Sequence, residues 1–155
     1  MNQPALDRID RRIVDALQRD GRLPNNELAA QVNLSPSPCL RRVRSLEEAG
    51  VIKQYVALVD PVKIGLGMLA YVSVKLEKKG QMPAEEFAGA VHSWTEVTEC
   101  YSMTGEMDYL LRVQVEDLDH FSRFIMEKLL KQQAVADVKS SFALQRVKET
   151  TVLPV

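Results

Sequence analysis

The sequence predicts an α+β protein in two parts, and three observations carry the prediction. The first 50 residues repeat apolar side chains at helical spacing, punctuated at Gly21, Asn33 and Gly50. They close on a proline-led, arginine-rich stretch, SPSPCLRRVRSLEEAG, at 35–50. From about residue 69 the pattern turns to alternation, and strands and helices follow in the order β-α-β-β-α-β.

In the first part, Leu6, Ile9, Ile13, Ala16 and Leu17 mark a helix that Gly21 is placed to end in a left-handed turn. A polar break leads to a short second helix, Glu27 to Val32, with Asn25 or Asn26 expected as its N-cap. Asn33, the non-glycine residue type best suited to positive φ, marks a tight turn. Ser35 is then the expected N-cap of a third helix, with Pro36 and Pro38 at first-turn positions that have no internal hydrogen bond to lose. That helix runs to about Ala49. At 100° per residue, Arg44, Ser37, Arg41, Ser45, Pro38 and Arg42 occupy one side of it, and Leu46, Cys39, Val43 and Leu40 the other. Three helices with a tight turn before the third describe a helix-turn-helix. Val51 to Val59, rich in β-branched residues, is the expected wing and hinge strand.

The junction falls between about residues 55 and 66, around Asp60-Pro61, and divides the chain into 1–60 and 61–155. Ala70, Val72, Val74 and Leu76 then alternate with Leu69, Tyr71, Ser73 and Lys75 as a strand. A helix is expected from Pro83 to about Ser93, strands at about 97–103 and 109–115, and a second helix bearing Leu118, Phe121, Ile125 and Leu129. A last strand is expected over Val135 to Val147. This order is that of the ferredoxin-like split βαβ unit, with both helices on one sheet face. The other face would carry Leu69, Tyr71, Tyr101, Met103 and Leu110, which predicts a sheet-to-sheet dimer with two-fold symmetry.

Composition narrows the function. The net charge of -1 in 155 residues excludes a globally basic polyanion binder. Residues 1–60 hold 9 Lys+Arg and 8 Asp+Glu, net +1, and the remainder 11 and 13, net -2, which together give the -1. Between Ser35 and Leu46, however, there are three arginines and no acid. A nucleic-acid contact would therefore be local: arginines on such a helix contact phosphate or pair with guanine, and serines touch backbone or bases. Ser35, Ser37, Pro38, Arg41, Arg42, Arg44 and Ser45 form the candidate DNA-binding set, with Arg41 and Arg44 assigned to close groove contact and Arg42 to phosphate.

The second candidate is the Thr104-Gly105-Glu106-Met107-Asp108 loop. Read as a bare hairpin turn it uses Gly105 for positive φ. Read functionally, amides around Gly105 hold the carboxylate of an amino acid and Asp108 pairs with its ammonium. No cofactor or metal is expected: Cys39 and Cys100 belong to no metal spacing and are expected as reduced packing thiols. His92 and His120 are expected as surface residues without ligand partners, and Trp94 as a packing anchor. No nucleophile elbow, Walker loop or HExxH occurs. With no apolar run long enough to span a membrane and a polar start, MNQPALDRIDRR, a cytoplasmic protein is expected.

The stretches LDRIDRRIVDALQRDGR, ELAAQVNLSPSPCLRRVRSLEEAGVI, Asp60-Pro61, Gly65-Leu66-Gly67 and TGEMDYLLRV resemble the Lrp/AsnC (leucine-responsive, feast/famine) transcription regulators over essentially the whole chain. Asn33 and Gln54 stand where such proteins often have Gly. The resemblance implies an N-terminal winged helix-turn-helix on double-stranded DNA, a hinge strand and a C-terminal domain of the RAM or AsnC type. It further implies a homodimer assembling to an octamer or open array, with a free amino acid bound near the 104–108 loop. By the same resemblance Ser140, Ser141 and Phe142 would neighbour that pocket. The alternatives are an effector-independent architectural DNA-binding protein and an amino-acid-sensing subunit of an enzyme.

Overall fold

The computed structural model describes residues 6–77 and 81–155; residues 1–5 of the polar start lie outside it. It divides into one unit of residues 1–58 with 148–155 and a second of 59–147. The tail, expected with the second domain, therefore belongs to the first.

In the first unit α1 (Arg8–Arg19) starts at Asp7, whose side chain accepts the Ile9 and Asp10 amides while Asp10 reaches back to the Asp7 amide. α1 ends at Asp20 in extended backbone, and the left-handed turn expected at Gly21 is not made. Gly21 is needed for closeness instead, since a Cβ there would stand 3.3 Å from Cδ1 of Tyr55. α2 (Asn25–Val32) begins after Pro24, so neither asparagine caps it; Asn25 Nδ2 donates to the Pro36 carbonyl at 2.9 Å and ties the start of α2 to the next helix. Asn33 takes φ 58° and ψ 47°, as expected of the turn. α3 (Pro36–Glu48) has Ser35 at its N-cap position, but the serine side chain makes no capping bond. Pro38 at the third helical position offers no N–H, which leaves the Ser37 amide as the remaining donor, and Ser35 does not take it. Ile13, Leu28, Val32, Cys39 and Leu46 close the small core.

The expected strand over Val51 to Val59 is not formed: these residues pair with no other strand among the described residues, and Val56, Leu58 and Val59 are exposed. β propensity alone does not make a strand, which needs a neighbouring backbone.

In the second unit Asp60 Oδ1 accepts the Val62 amide, and a short 3₁₀ turn (Val62–Ile64) leads to β1 (Met68–Leu76). Then follow α4 (Gln81–His92), β2 (Val97–Ser102), β3 (Tyr109–Val115), α5 (Leu118–Arg123), a π-helical continuation (Phe124–Leu129) and β4 (Val135–Phe142). The antiparallel sheet has the order β2-β3-β1-β4, and β1 is central. Its residues Ala70, Val72 and Val74 are fully buried, as are Leu111 and Val113 opposite them. Each large apolar side chain among them stabilises the fold by about 1.5–3 kcal/mol. Trp94 meets Phe87 and Phe124 edge-on, at ring-centroid separations of 6.1 and 5.5 Å.

β4 stops at Phe142, five residues before its expected end: the Ala143 amide makes a last bond to the Leu69 carbonyl, and beyond it the chain has no strand partner among the described residues. Register places Leu69, Tyr71, Leu110 and Tyr101 on the face opposite the buried alternation. Arg112 and Glu99 share that face, which is thus more polar than expected. His120 departs from its surface reading: its side chain is three-quarters buried, with Nε2 3.7 Å from Glu96. Cys39 is a core thiol, whereas Cys100, expected to pack, is exposed.

The left-handed Asn33 is testable. Asn33→Val should destabilise the first unit by about 1–2 kcal/mol in urea unfolding, whereas Asn33→Gly should stay within about 0.5 kcal/mol of the parent. Equal losses in both variants would contradict a backbone origin.

Candidate nucleic-acid interface and effector loop

The candidate residues on α3 owe their direction to what the helix buries. Cys39 and Leu46, at 0% and 5% exposure, point to the core and leave Ser37, Arg41, Arg44 and Ser45 on the far side, where they line one shallow surface with Leu40 and Glu48. Leu40, expected in the core, is 39% exposed. Its place at the edge of the apolar arc, next to Arg44, lets it leave the core. Arg41 and Arg44 have no hydrogen-bond or ion-pair partner among the described residues. Glu47, by contrast, accepts the Tyr55 hydroxyl at 3.0 Å. Burial first, and Glu47 second, push the Tyr55 phenol up to about 12.

Arg42 does not share that surface. Its Nη1 lies 2.7 Å from both Asp7 Oδ2 and Asp10 Oδ1, so Arg42, expected at phosphate, forms a staple between α3 and the first turn of α1. The reason lies in the wheel: Arg42 sits at the rim nearest the core, and the α1 N-terminus offers it two carboxylates. Hydrogen bonds from the Asp10 amide first and from Arg42 next hold the Asp7 carboxyl below its ordinary 3.8. Ser35 is exposed and Pro38 half-buried at the start of the helix.

The second candidate loop joins β2 to β3. Gly105 has φ 114°, a conformation an L side chain rarely adopts. The Asp108 backbone spans the loop mouth, accepting the Met103 amide at 2.8 Å and donating to the Val74 carbonyl at 2.9 Å. Its side chain has a structural task that sequence reading missed: Asp108 Oδ2 accepts the Leu76 amide at 2.8 Å. The other carboxylate oxygen has no partner among the described residues. Nor do the amides of Thr104 to Met107 have an acceptor among them. Glu106 pairs with Lys139 Nζ at 2.9 Å, which, through that hydrogen bond, holds the Glu106 carboxyl below its usual range. Lys139 was not singled out from the sequence, because only strand register brings it there.

The expected neighbours on β4 do not converge on one face. Ser141 pairs with Tyr71 on the open face, whereas Ser140 and Phe142 pair with Val72 and Ala70 on the helix-covered side. Phe142 packs against Phe121, with ring centroids 5.0 Å apart.

Residues 6–53 match the winged helix-turn-helix DNA-binding family, and residues 69–153 match the Lrp/AsnC ligand binding domain. The chain belongs to the Lrp/AsnC family. It is 39% identical over 148 residues to the leucine-responsive regulatory protein of Escherichia coli K12, covering 96% of this chain and 90% of that one. Among solved structures, a transcriptional regulator from Neisseria meningitidis in complex with L-Met superposes with a TM-score of 0.93 at 45% identity, covering 97% of each chain. An AsnC family transcriptional regulator from Agrobacterium tumefaciens gives 0.91 at 40% identity, over 96% of this chain and 97% of that one. This Lrp/AsnC protein is thus a DNA-binding transcriptional regulator with a ligand-binding domain, whose two matched segments carry the two surfaces described. No helix among the described residues is long and apolar enough to cross a membrane.

The Arg42 staple has a pH signature. Because the folded Asp7 pKa is depressed, its contribution is present above 3.8 and is lost as pH falls through the lower folded value. Arg42→Met should be less stable than the parent at neutral pH in urea unfolding, and the gap should narrow as pH is taken below 3.8. A gap constant down to about pH 2 would show that Arg42 acts through packing and not through its charge.

Proposed function

We propose that this regulator reads duplex DNA with the outer face of α3, using Arg41 and Arg44 at base edges and close phosphates with Ser37 and Ser45 between them. The observation that carries the reading is that these two arginines, unlike Arg42 and Arg19, have no partner within the protein among the described residues. They stand on a helix held rigidly by its core, by Asn25 and by Arg42. A guanidinium left unpaired on a rigid helix has its full donor fork available for guanine or phosphate. Ser35 and Pro38 set the start of that helix and belong to the proposed contact only through backbone placement.

A free amino acid is the proposed effector. Unengaged amides around Gly105 suit its carboxylate, and the second oxygen of Asp108 suits its ammonium. The L-Met complex of the Neisseria meningitidis relative supports an amino acid as ligand class. Two-fold pairing of the open sheet faces through Tyr71, Tyr101 and Leu110, with further assembly toward an octamer, would present two α3 helices to successive major grooves. Half-sites would then lie about 34–36 Å apart. In an effector-independent architectural protein the 104–108 loop would be structural only, and the Asp108 bond to Leu76 favours that second reading.

Two measurements decide. Arg41→Ala with Arg44→Ala should lower affinity for a selected operator by about 30-fold or more, from the loss of about 1–3 kcal/mol for each of two bidentate pairs, with oligomer size unchanged. Retained affinity at the same salt would remove α3 from the contact. A thermal-shift screen of the twenty amino acids should reveal a stabilising ligand. Asp108→Asn, which keeps an acceptor for the Leu76 amide while removing the charge, should abolish the shift. A screen with no stabilising amino acid favours the architectural reading.

A further inference from the structure

Helix α1 carries a row of arginines that neither surface above uses. At 100° per residue Arg8, Arg11, Arg12, Asp15 and Arg19 fall within an arc of about 100°, opposite the Ile9, Ile13 and Leu17 side that meets the core. All four arginines reach solvent. Arg8 to Arg19 spans 12 residues, and its 11 steps of about 1.5 Å make the row about 16 Å long. Arg19 is neutralised by Asp15 at 2.8 Å. Arg12 donates to the Gln31 carbonyl, a bond that orients its charge without cancelling it. Arg8 and Arg11 have no partner among the described residues. Of the acids within about one turn of them, Asp7 and Asp10 are taken by Arg42 and Asp15 by Arg19. Asp15 offsets one of the four arginines on this helix side, and Val155 lines the same surface. The tail passes beside the row, held by Gln18, which exchanges two hydrogen bonds with the Leu153 backbone at 2.6 and 3.1 Å.

We propose that this row is a second, sequence-independent contact for the DNA phosphate backbone, engaging duplex outside the segment read by α3. The proposal rests on the DNA-binding reading and extends it. Duplex DNA offers one negative charge per about 1.7 Å of axis, so a straight cationic row about 16 Å long meets a continuous line of charge. A protein partner would need a buried apolar or aromatic anchor. Among the described residues lining it, the apolar ones are Ala16, Val32 and Val155, and none is aromatic. The row shares no residue with the α3 surface, so the two contacts are separable by mutation. A regulator with a specific contact and a separate backbone contact holds a longer stretch of duplex than one recognition helix spans, at no cost in sequence discrimination.

The test uses the full chain with Arg8→Gln and Arg11→Gln together; these side chains have no bonding partner among the described residues, and Arg12 is left to its Gln31 carbonyl. Binding is measured from about 50 to about 200 mM salt on a short duplex covering only the selected operator and on a long duplex extending well beyond it. On the long duplex the slope of log K against log salt should become shallower by about 1.8 per chain, 0.9 for each phosphate no longer neutralised. On the short duplex affinity should be unchanged, and the ratio of operator to scrambled binding should hold on both. An unchanged slope on the long duplex overturns the inference. A change in oligomer size with the slope unchanged also overturns it, in favour of a protein interface. The parallel Arg41→Ala, Arg44→Ala variant tells the two readings apart. If it loses operator discrimination while the α1 variant is silent, only this inference fails; if both are silent, the DNA-binding face itself is misassigned.

Discussion

Burying Cys39 and Leu46 against Ile13, Leu28 and Val32 fixes the rotation of α3 about its own axis, and the nucleic-acid surface follows from that rotation. A helix this short turns a new side to solvent with every residue, so two fully committed apolar positions settle where the others point. Two polar ties reinforce the setting from opposite ends of the packing: Asn25 on the Pro36 carbonyl, and Arg42 between Asp7 and Asp10. Such partly exposed bonds contribute little to stability one by one. Their effect is directional, since they hold the first turn of α3 and its inner rim while Arg41 and Arg44 remain unpaired.

The second unit solves a different problem. β1 lies between β3 and β4 and must bury alternate residues under two helical segments while leaving the intervening residues on an open face. The loop leading into β3 is then anchored to the same strand, through the Asp108 backbone on Val74 and its side chain on Leu76. The 104–108 loop is therefore tied directly to the central strand. Buried Glu96 gives that unit its main internal charge contact. Burial alone would raise its carboxyl, but two hydrogen bonds from Lys128 Nζ, at 2.7 and 2.9 Å, hold it below the usual value.

Much of this was legible from residue order. The periodicities placed the helices and the sheet strands to within a few residues of their ends, save β4, which stops well short of its expected end, and Asn33 announced its left-handed turn. The misreadings share a cause, which is that a local signal was given a local partner when the actual partner was distant. Gly21 looked like a helix stop and instead makes room for Tyr55. Asn25 looked like a cap and instead bonds Pro36. Arg42, at the rim of the basic face, looked like a phosphate contact, and the structure places Asp7 and Asp10 within 2.7 Å of it. Val51 to Val59 had the composition of a strand and, among the described residues, no neighbour in its own chain to pair with.

The amino-acid sequence by itself determined the two-part α+β organisation, the exposed basic side of α3, the glycine-centred 104–108 loop and the family resemblance, because each depends on periodicity, turn chemistry or motif order within a few dozen residues. Tertiary structure alone decided which arginines are free and which are spent, and that Asp108 holds a strand as well as facing the loop. It also decided that Ser140, Ser141 and Phe142 divide between two faces of the sheet. Apart from the local Arg19–Asp15 pair, these depend on pairing across 32 residues or more, where charge and hydrogen-bond capacity are allotted by distances that no local pattern encodes.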